Sequence, residues 1–275
     1  MPATSKSVVT TDTIDHPINI YFQKKYLKVL EALLLYDMFG QNATLPQHEG
    51  DTYKWRIFAE LAAATTPLDE VQDPPSVLPS KTDLSVTMKQ YGSWIKTSAW
   101  RDMTGLTQDK DAITQRLTRQ SALTLDTLIR AVTAGGASST TCSNGTGTAT
   151  FLNATDIKIV IKNILAENGE MITPRLGAST KVGTSPIRRS FVVVAHSDLQ
   201  MDIEAVAGFK HVSTYAKPGD AYPGEWGSIG NSRWLLTTNA YKSGSDYKCL
   251  FLAQDAFGKV KIQKSDRPDT TAKKM

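Results

Sequence analysis

The longest regular pattern of apolar and polar positions lies at residues 107–134 and predicts a single helix. Its apolar residues recur three and four positions apart, which places them on one face: Ile113, Leu117, Leu125, Leu128, Ile129 and Val132. Thr107 is a suitable N-cap, and Gly135 and Gly136 end the pattern. At 1.5 Å per residue, this helix is about 40 Å long, enough to cross a whole domain.

Residues 20–39 show a second helical pattern, which Gly40 ends. The apolar side is made by Tyr26, Leu27, Leu30, Leu33, Leu34 and Met38, and the basic residues opposite are Lys24, Lys25 and Lys28. The preceding residues, 1–18, have the composition of a flexible arm. Two packings fit this pattern. The helix packs within its own domain, or it is an arm helix that packs on a neighbouring subunit.

Alternation of apolar and polar residues predicts two strands, at residues 52–58 and 84–88. The loop between them, residues 65–83, contains prolines and acidic residues, which are Pro67, Asp69, Glu70, Asp73, Pro74, Pro75 and Pro79. Proline lacks the N–H that a strand ladder needs, so regular pairing must lapse there. Since a lone hairpin is unstable in water, we expect either that it lies on another surface or that the loop is a disordered insertion.

The rest of the chain predicts an alternation of strands, loops and helices. In order these are a strand at 91–100, a Gly/Ser/Thr-rich loop at 135–149, a helix at 156–168, a buried strand at 191–195, a short helix at 197–206, a turn-rich stretch at 218–230 and strands at 233–237 and 248–253. Asn153 or Thr155 is expected to cap the helix at 156–168, and Ser197 the helix at 197–206. The polar tail from Lys264 is expected to be mobile.

Composition excludes several functional classes. With 31 basic and 27 acidic residues the net charge is +4, which is low for a protein that grips DNA phosphates, so only weak contact with nucleic acid is expected. No apolar run is long enough to span a bilayer and no signal peptide is visible, so no membrane is expected as a partner. Cys142 and Cys249 are expected to be free thiols.

The search for catalytic motifs yields one candidate. The stretch GGASSTTCSNGTGT is glycine-rich but lacks the lysine of a phosphate-binding loop, and the four histidines have no metal-ligand spacing. His196, Asp198 and Asp202 lie at a predicted strand end, where catalytic sites occur in α/β folds. For this turn, a capping role is preferred over a metal or acid/base site.

Two surface groups also have a simple structural interpretation. Asp69, Glu70 and Asp73 are expected to form a solvated acidic tip rather than a cation site. In Lys54-Trp55-Arg56 the tryptophan faces away from both charges if the segment is a strand, so a stacking platform for nucleic acid is not expected. We therefore expect no enzyme activity, no cofactor and no metal.

The order of the segments resembles the major capsid proteins of tailed bacteriophages, in particular the N-four-type coat family with its Hong Kong 97-type fold. The matching stretches are LPQHEGDTYKWRIF, ATTPLDEV, MKQYGSW, the long helix, FVVVAHSDLQMDI, GEWGSIGNSRWLLTTN and LAQDAFGKVKI, spread over about residues 20–262. One departure concerns the last of these. Family members continue with a segment that returns to the peripheral domain, whereas only a polar stretch follows here.

The resemblance implies an α+β fold in five parts. These are an N-terminal arm (1–47), an extended β-hairpin loop with a lead-in strand (48–98), a peripheral domain with its spine helix at 107–134 (99–150), an axial domain (151–245), and a return strand with a mobile tail (246–275). The extended loop would contact the neighbouring subunit through Lys54, Trp55, Arg56, Pro67, Asp69, Glu70, Pro74 and Pro75. The arm helix would do so through Tyr26, Leu27, Leu30 and Leu34.

The function implied is self-assembly into the icosahedral shell that encloses a double-stranded DNA phage genome. Partners would be the protein itself, as hexamers and pentamers, together with portal and scaffolding or cement proteins. Weak, non-specific contact with packaged DNA would come from Arg116, Arg119, Arg130, Lys24, Lys25 and Lys28. The protein would be part of the virion and assemble in the host cytoplasm. The alternatives are another virion component, such as a tail protein, and a hydrolase that uses His196 and Asp198.

Overall fold

The computed structural model describes residues 33–46, 49–67, 73–74, 76–96, 98, 103, 110–143, 150–176, 186–215, 219 and 221–262. These residues form a mixed α and β structure. Three α-helices are present among them: α1 (Lys110–Gly136), α2 (Ala154–Ala166) and α3 (Gln200–Ala205). Helix α1 confirms the long predicted helix, and it continues to Gly136, two residues beyond the predicted end. Residues 104–109, where that helix was expected to begin, lie outside the described ranges.

Eleven strands are present in the same ranges. They are β1 (Gln41–Leu45), β2 (Thr52–Phe58), β3 (Lys81–Thr87), β4 (Phe191–His196), β5 (Phe209–His211), β6 (Glu225–Ile229), β7 (Ser232–Thr237), β8 (Lys242–Ser243), β9 (Asp246–Tyr247), β10 (Leu250–Leu252) and β11 (Gly258–Ile262). The main sheet has the order β10-β4-β7-β6-β5, in which β4 and β7 are parallel and the other neighbours antiparallel. Strands β1 and β11 form a separate parallel pair, and β2 and β3 an antiparallel ribbon.

The core lies on both faces of the main sheet because every residue of β4 is buried. On one face, Val192 and Val194 pack with Leu35, Tyr36, Phe39, Ala134, Leu235 and Leu252. On the other face, Val193 and Ala195 pack with Ile157, Ile203, Val206, Ile229 and Trp234. This arrangement confirms the prediction, made from the continuous apolar run, of a strand covered on both sides.

Asp126, on the buried side of α1, joins three parts of the chain. One carboxylate oxygen accepts hydrogen bonds from the backbone N–H groups of Tyr36 (2.8 Å) and Asp37 (3.3 Å), and the other accepts one from the Asn239 side chain (2.7 Å). One turn further on, Arg130 donates to the backbone oxygen of Asn239 at 2.8 Å. Helix α1 therefore fixes both the 3₁₀ turn at Tyr36–Met38 and the turn after β7.

A second set of contacts fixes the segment around Gly40. Lys259 of β11 donates to both the backbone and the carboxylate of Asp37, and the Thr237 hydroxyl donates to the backbone oxygen of Leu33. Gly40 has a φ of +92°, and a Cβ there would lie 2.5 Å from the Phe257 ring, so only glycine fits. Residues 33–45, which the family resemblance places in the arm, thus contact the body of the subunit.

A buried ion pair links β6 to β7. The side chains of Glu225 and Arg233 are 0% and 2% exposed, and two N–H groups of the guanidinium each donate to one carboxylate oxygen at 2.7 Å. The Tyr215 hydroxyl (2.7 Å) and the Tyr222 N–H (2.9 Å) complete the acceptor capacity of Glu225. Full pairing is what allows a charge to be tolerated at this depth.

The predicted helix at 20–39 is wrong over its described part. Residues 33–35 are irregular and only Tyr36–Met38 makes a single 3₁₀ turn. The reason is tertiary, because Leu35, Tyr36 and Phe39 are drawn into the core while Asp126 binds the backbone N–H groups that a helix would use. Of the predicted arm-helix residues, Leu34 is half-buried, and Tyr26, Leu27 and Leu30 lie outside the described ranges.

Three smaller predictions also need correction. Residues 91–96 form no strand, and Trp94 is 80% exposed there. The stretch 218–230, predicted as turns, contains strand β6. Although β6 includes a glycine, it pairs with β7 and is largely buried. The Asn153 cap of α2 is confirmed, since its side chain accepts from the Asp156 N–H at 2.8 Å, but the helix spans Ala154–Ala166 rather than the predicted 156–168.

We predict that Asp126→Ala destabilises the subunit strongly. The substitution leaves two buried backbone N–H groups and one amide without an acceptor, so the free energy of unfolding should fall by about 3 kcal/mol. Chemical denaturation of unassembled subunits, followed by tryptophan fluorescence, measures this. The control is Glu167→Ala, an exposed acid, expected to change stability by less than about 0.5 kcal/mol. Equal losses for the two variants would contradict the role given to Asp126.

Candidate inter-subunit surface

Strands β2 and β3 form an amphipathic ribbon. Residues paired across the two strands share a face, so Tyr53 with Val86 and Trp55 with Leu84 make an apolar side. On the opposite side, the Arg56 guanidinium lies 3.0 Å from the Asp83 carboxylate. The predicted alternation is therefore confirmed, although β3 begins at Lys81, three residues before its predicted start.

The loop of this ribbon exposes large apolar side chains. The last backbone contact of the ribbon is from the Ala59 N–H to the Ser80 oxygen at 2.9 Å, so the loop comprises residues 60–79. Within it, Leu61, Val77 and Leu78 are exposed, the last by 88%. Pro67 and Pro74 are exposed as well, whereas Asp69, Glu70 and Pro75 lie outside the described residues. Three large apolar side chains exposed within one loop make the loop a candidate interaction surface.

The ribbon is attached to the body through Trp55. Its ring packs edge-on against Tyr53, with centroids 4.8 Å apart, and covers Gly258 so closely that a Cβ there would lie 2.6 Å from the ring. Lys54 and Arg56 point to the opposite, exposed side. The tryptophan therefore serves as an anchor for the ribbon, which leaves the loop of residues 60–79 to project.

Helix α1 exposes part of its apolar stripe. Leu125 and Val132 lie two turns apart on one side of the helix and are exposed, Val132 by 72%. The side that the subunit buries carries Asp126, Arg130 and Ala134. The apolar stripe of α1 is thus divided, because Ile129 packs against the core while Leu125 and Val132 are exposed.

The basic residues predicted to face a genome are in different environments. Arg116 is exposed and Arg119 is half-buried on α1. Arg130 is also half-buried, and its guanidinium is bound to Asn239 within the subunit. Lys24, Lys25 and Lys28 lie outside the described ranges. Arg116 and Arg119 are therefore the members of this set through which a role in DNA contact is best tested.

The turn at His196 is held by local hydrogen bonds. His196, not Ser197, is the cap: its Nδ1 accepts from the Asp198 N–H at 3.2 Å. The Asp198 carboxylate accepts from Lys242 (2.7 Å) and Tyr247 (2.9 Å). These two hydrogen bonds lower the pKa of Asp198, and the carboxylate in turn raises the pKa of Lys242 to about 12. The contacts tie the turn to the β8–β9 hairpin and support the capping interpretation.

Among the described residues, no group of three or more His, Cys, Asp or Glu side chains is placed to hold a metal ion. None of the helices in the same part of the chain combines the length and apolarity needed to cross a bilayer. Cys142 and Cys249 are both free thiols, as predicted. Burial raises the pKa of Cys249 to about 12.

Comparison with known proteins identifies the fold. No protein-family model and no curated protein matches the sequence. Solved structures do match. A chain from Mycobacterium phage Che8 is similar with a TM-score of 0.55 and 13% identity, over 85% of this chain and 79% of that one. A chain from the capsid structure of the cyanophage P-SCSP1u is similar with a TM-score of 0.55 and 11% identity, over 86% and 72%. A third chain comes from the head structure of the Helicobacter pylori bacteriophage KHP40, with a TM-score of 0.51 and 16% identity, over 84% and 65%.

Sequence reasoning missed the residues that organise this surface. Asp126 sits opposite the apolar stripe of α1, which is the position of an ordinary solvent-facing acid, and nothing local shows that its partners come from distant segments. Glu225 lies in the stretch 218–230, which the sequence assigned to turns. The strand at Arg233–Thr237 was predicted, but the partner of its buried arginine follows only from the antiparallel pairing of β6 with β7.

We predict that the His196 turn is structural. His196→Ala removes the acceptor of the Asp198 N–H and should lower the free energy of unfolding by about 1 kcal/mol. His211→Ala is the matched control, because His211 caps the 3₁₀ turn at Val212–Thr214 in the same way, at 3.2 Å from the Ser213 nitrogen. Thermal unfolding of both variants, together with their hydrolysis of activated esters, measures this. Loss of hydrolysis in His196→Ala alone, at unchanged stability, would favour the hydrolase alternative.

Proposed function

We propose that this protein is the major capsid protein of a tailed bacteriophage and builds an icosahedral shell around double-stranded DNA from copies of itself. The observation that carries the proposal is the projecting β2–β3 ribbon, whose loop exposes Leu61, Val77 and Leu78, on a subunit that shares its fold with phage head and capsid structures. A two-stranded ribbon is marginal alone, so its stability must come from a surface on which it lies.

The domain organisation proposed is that of a Hong Kong 97-type coat protein. In it, α1 is the spine helix of a peripheral domain, the β2–β3 ribbon is the extended loop, and the sheet built around β4 belongs to the axial domain. Residues before about 33 would form the arm. Core packing of Leu35, Tyr36 and Phe39 and the pairing of β1 with β11 support an arm shorter than the 47 residues that the resemblance implies.

The partners proposed follow from this assembly. Neighbouring copies meet as hexamers and pentamers, and heterologous contacts of this kind close into rings. Portal and scaffolding or cement proteins complete the particle, which assembles in the host cytoplasm and forms the outer shell of the virion. The modest net charge of +4 fits weak, non-specific contact with packaged DNA.

Replacing the loop tests the proposal most simply. If residues 60–79 are exchanged for Asn-Gly, Ala59 and Ser80 still pair and a two-residue turn closes the ribbon. The subunit should remain folded by circular dichroism but form no stable shells in electron microscopy. Stable shells from this variant would remove the loop from the assembly mechanism.

A substitution set at constant loop length provides the control. Leu61→Ser with Val77→Ser and Leu78→Ser removes the exposed apolar surface and should reduce the shell yield as the loop replacement does. The matched set, Leu61→Met with Val77→Ile and Leu78→Met, keeps that surface and should assemble normally. Failure of both sets would show that the loop requires specific shapes rather than apolar contact.

We predict a separate effect of the spine-helix arginines on packaging. Arg116→Glu with Arg119→Glu reverses two charges on α1, which should reduce the amount of DNA per particle through repulsion of phosphates while empty shells still form. Arg116→Lys with Arg119→Lys preserves the charge and serves as the control. The ratio of absorbance at 260 and 280 nm across purified particles measures the DNA content. Normal packaging in the Glu variant would exclude these arginines from genome contact.

A further inference from the structure

A groove with an apolar floor and a basic rim lies between α2 and the β5–β6 end of the main sheet. Its volume is about 750 Å³, and the floor is formed by Ile157, Ile161, Ile187 and Ile229. Three of these isoleucines are almost fully buried, so the floor is a rigid part of the core. We call this feature the basic groove.

The rim of the basic groove carries only positive charge. Lys158, Lys162, Arg188 and Lys210 line it, and Arg175 and Arg189 extend it into an adjoining cavity of about 410 Å³. No acidic side chain lines either cavity, and among the described residues none of these six cations makes an ion pair. This concentration contrasts with a net charge of only +4 for the chain.

We propose that the basic groove receives the ribbon loop, residues 60–79, of a second copy of this chain. Between Arg56 and Lys81 the sequence has four acids and no lysine or arginine; the acids are Glu60, Asp69, Glu70 and Asp73. The same loop contains five large apolar residues, namely Leu61, Leu68, Val71, Val77 and Leu78. The loop thus offers carboxylates for the rim and aliphatic side chains for the isoleucine floor.

The composition of the groove favours a peptide segment over a nucleic acid. Phosphates would be attracted by the rim, but an isoleucine floor gives a sugar-phosphate backbone nothing to bind. The prolines of the loop restrict its backbone, which lowers the conformational entropy lost on docking. With 20 residues, each half of the loop reaches about 30 Å when extended, enough to meet the body of an adjacent subunit.

This inference rests on the proposed shell function for its biological meaning, and a charge exchange tests it. Lys158→Glu with Lys162→Glu reverses one wall of the groove and should reduce the yield of shells about tenfold. Adding Asp69→Lys, Glu70→Lys and Asp73→Lys to the same chain restores the attraction and should recover the shells. Lys261→Glu, an exposed lysine outside the groove, is the control and should assemble normally. Normal assembly of the Lys158/Lys162 variant, or no recovery in the combined variant, would overturn the proposal.

A binding measurement separates this inference from the proposed function. A fluorescent peptide of residues 60–79 is titrated with the subunit whose loop has been replaced, or with the wild-type chain if it forms no shells. Anisotropy should show saturable binding that weakens with salt and about tenfold with Lys158→Glu and Lys162→Glu. Shells without peptide binding would refute the groove alone, whereas peptide binding without shells would refute the shell function alone.

A duplex oligonucleotide serves as the competing probe in the same assay. The proposal expects it to bind far more weakly than the peptide at equal salt and to leave bound peptide in place. Two results together would show that the groove is a nucleic-acid site and that the proposal is wrong. The duplex would displace the bound peptide, and the Lys158/Lys162 variant would lose affinity for the duplex but not for the peptide.

Discussion

The fold depends on one buried carboxylate. Asp126 is 1% exposed, yet each of its oxygens is hydrogen-bonded, to donors that come from residues 36–37 and from Asn239. A carboxylate buried this deeply is tolerated only because both of its oxygens accept hydrogen bonds. Loss of any one donor would therefore destabilise the whole network. As a result the long helix, the segment entering β1 and the turn leaving β7 come together as one unit, and the side of α1 that faces the core carries Asp126 beside Ile129 and Ala134.

With α1 in this orientation, the molecule has a body with its own hydrophobic core and, outside it, elements whose apolar residues stay exposed. The body has its own core on both faces of the main sheet and its own buried ion pair at Glu225 and Arg233. The ribbon has no such core, and the outer side of α1 shows Leu125 and Val132 to solvent. A subunit that keeps folding and association on separate elements can fold first and then assemble, as the proposed shell function requires.

How far the sequence predicts this structure depends on the distance between interacting residues. Helices α1 and α2 and the two ribbon strands follow from local periodicity, and strand β4 from its unbroken apolar run. The turn at Tyr36–Met38 does not follow from local periodicity, because the Asp126 carboxylate that holds it is 90 residues away. Likewise, which side of α1 is buried depends on Asn239, which is 113 residues from Asp126. Strand β6 was not predicted for the same reason. Its own residues do not favour a strand, and it is formed by pairing with β7. The basic groove gathers cations from three separate segments, which no spacing along the chain indicates.

The most direct test of the central claim is the particle size of the purified wild-type protein, measured by light scattering and by electron microscopy of the same sample. The account predicts closed shells or rings of subunits, far larger than a 30.1 kDa monomer. A preparation that stays monomeric across concentration and ionic strength, with the ribbon loop intact, would contradict self-assembly as the function of this chain.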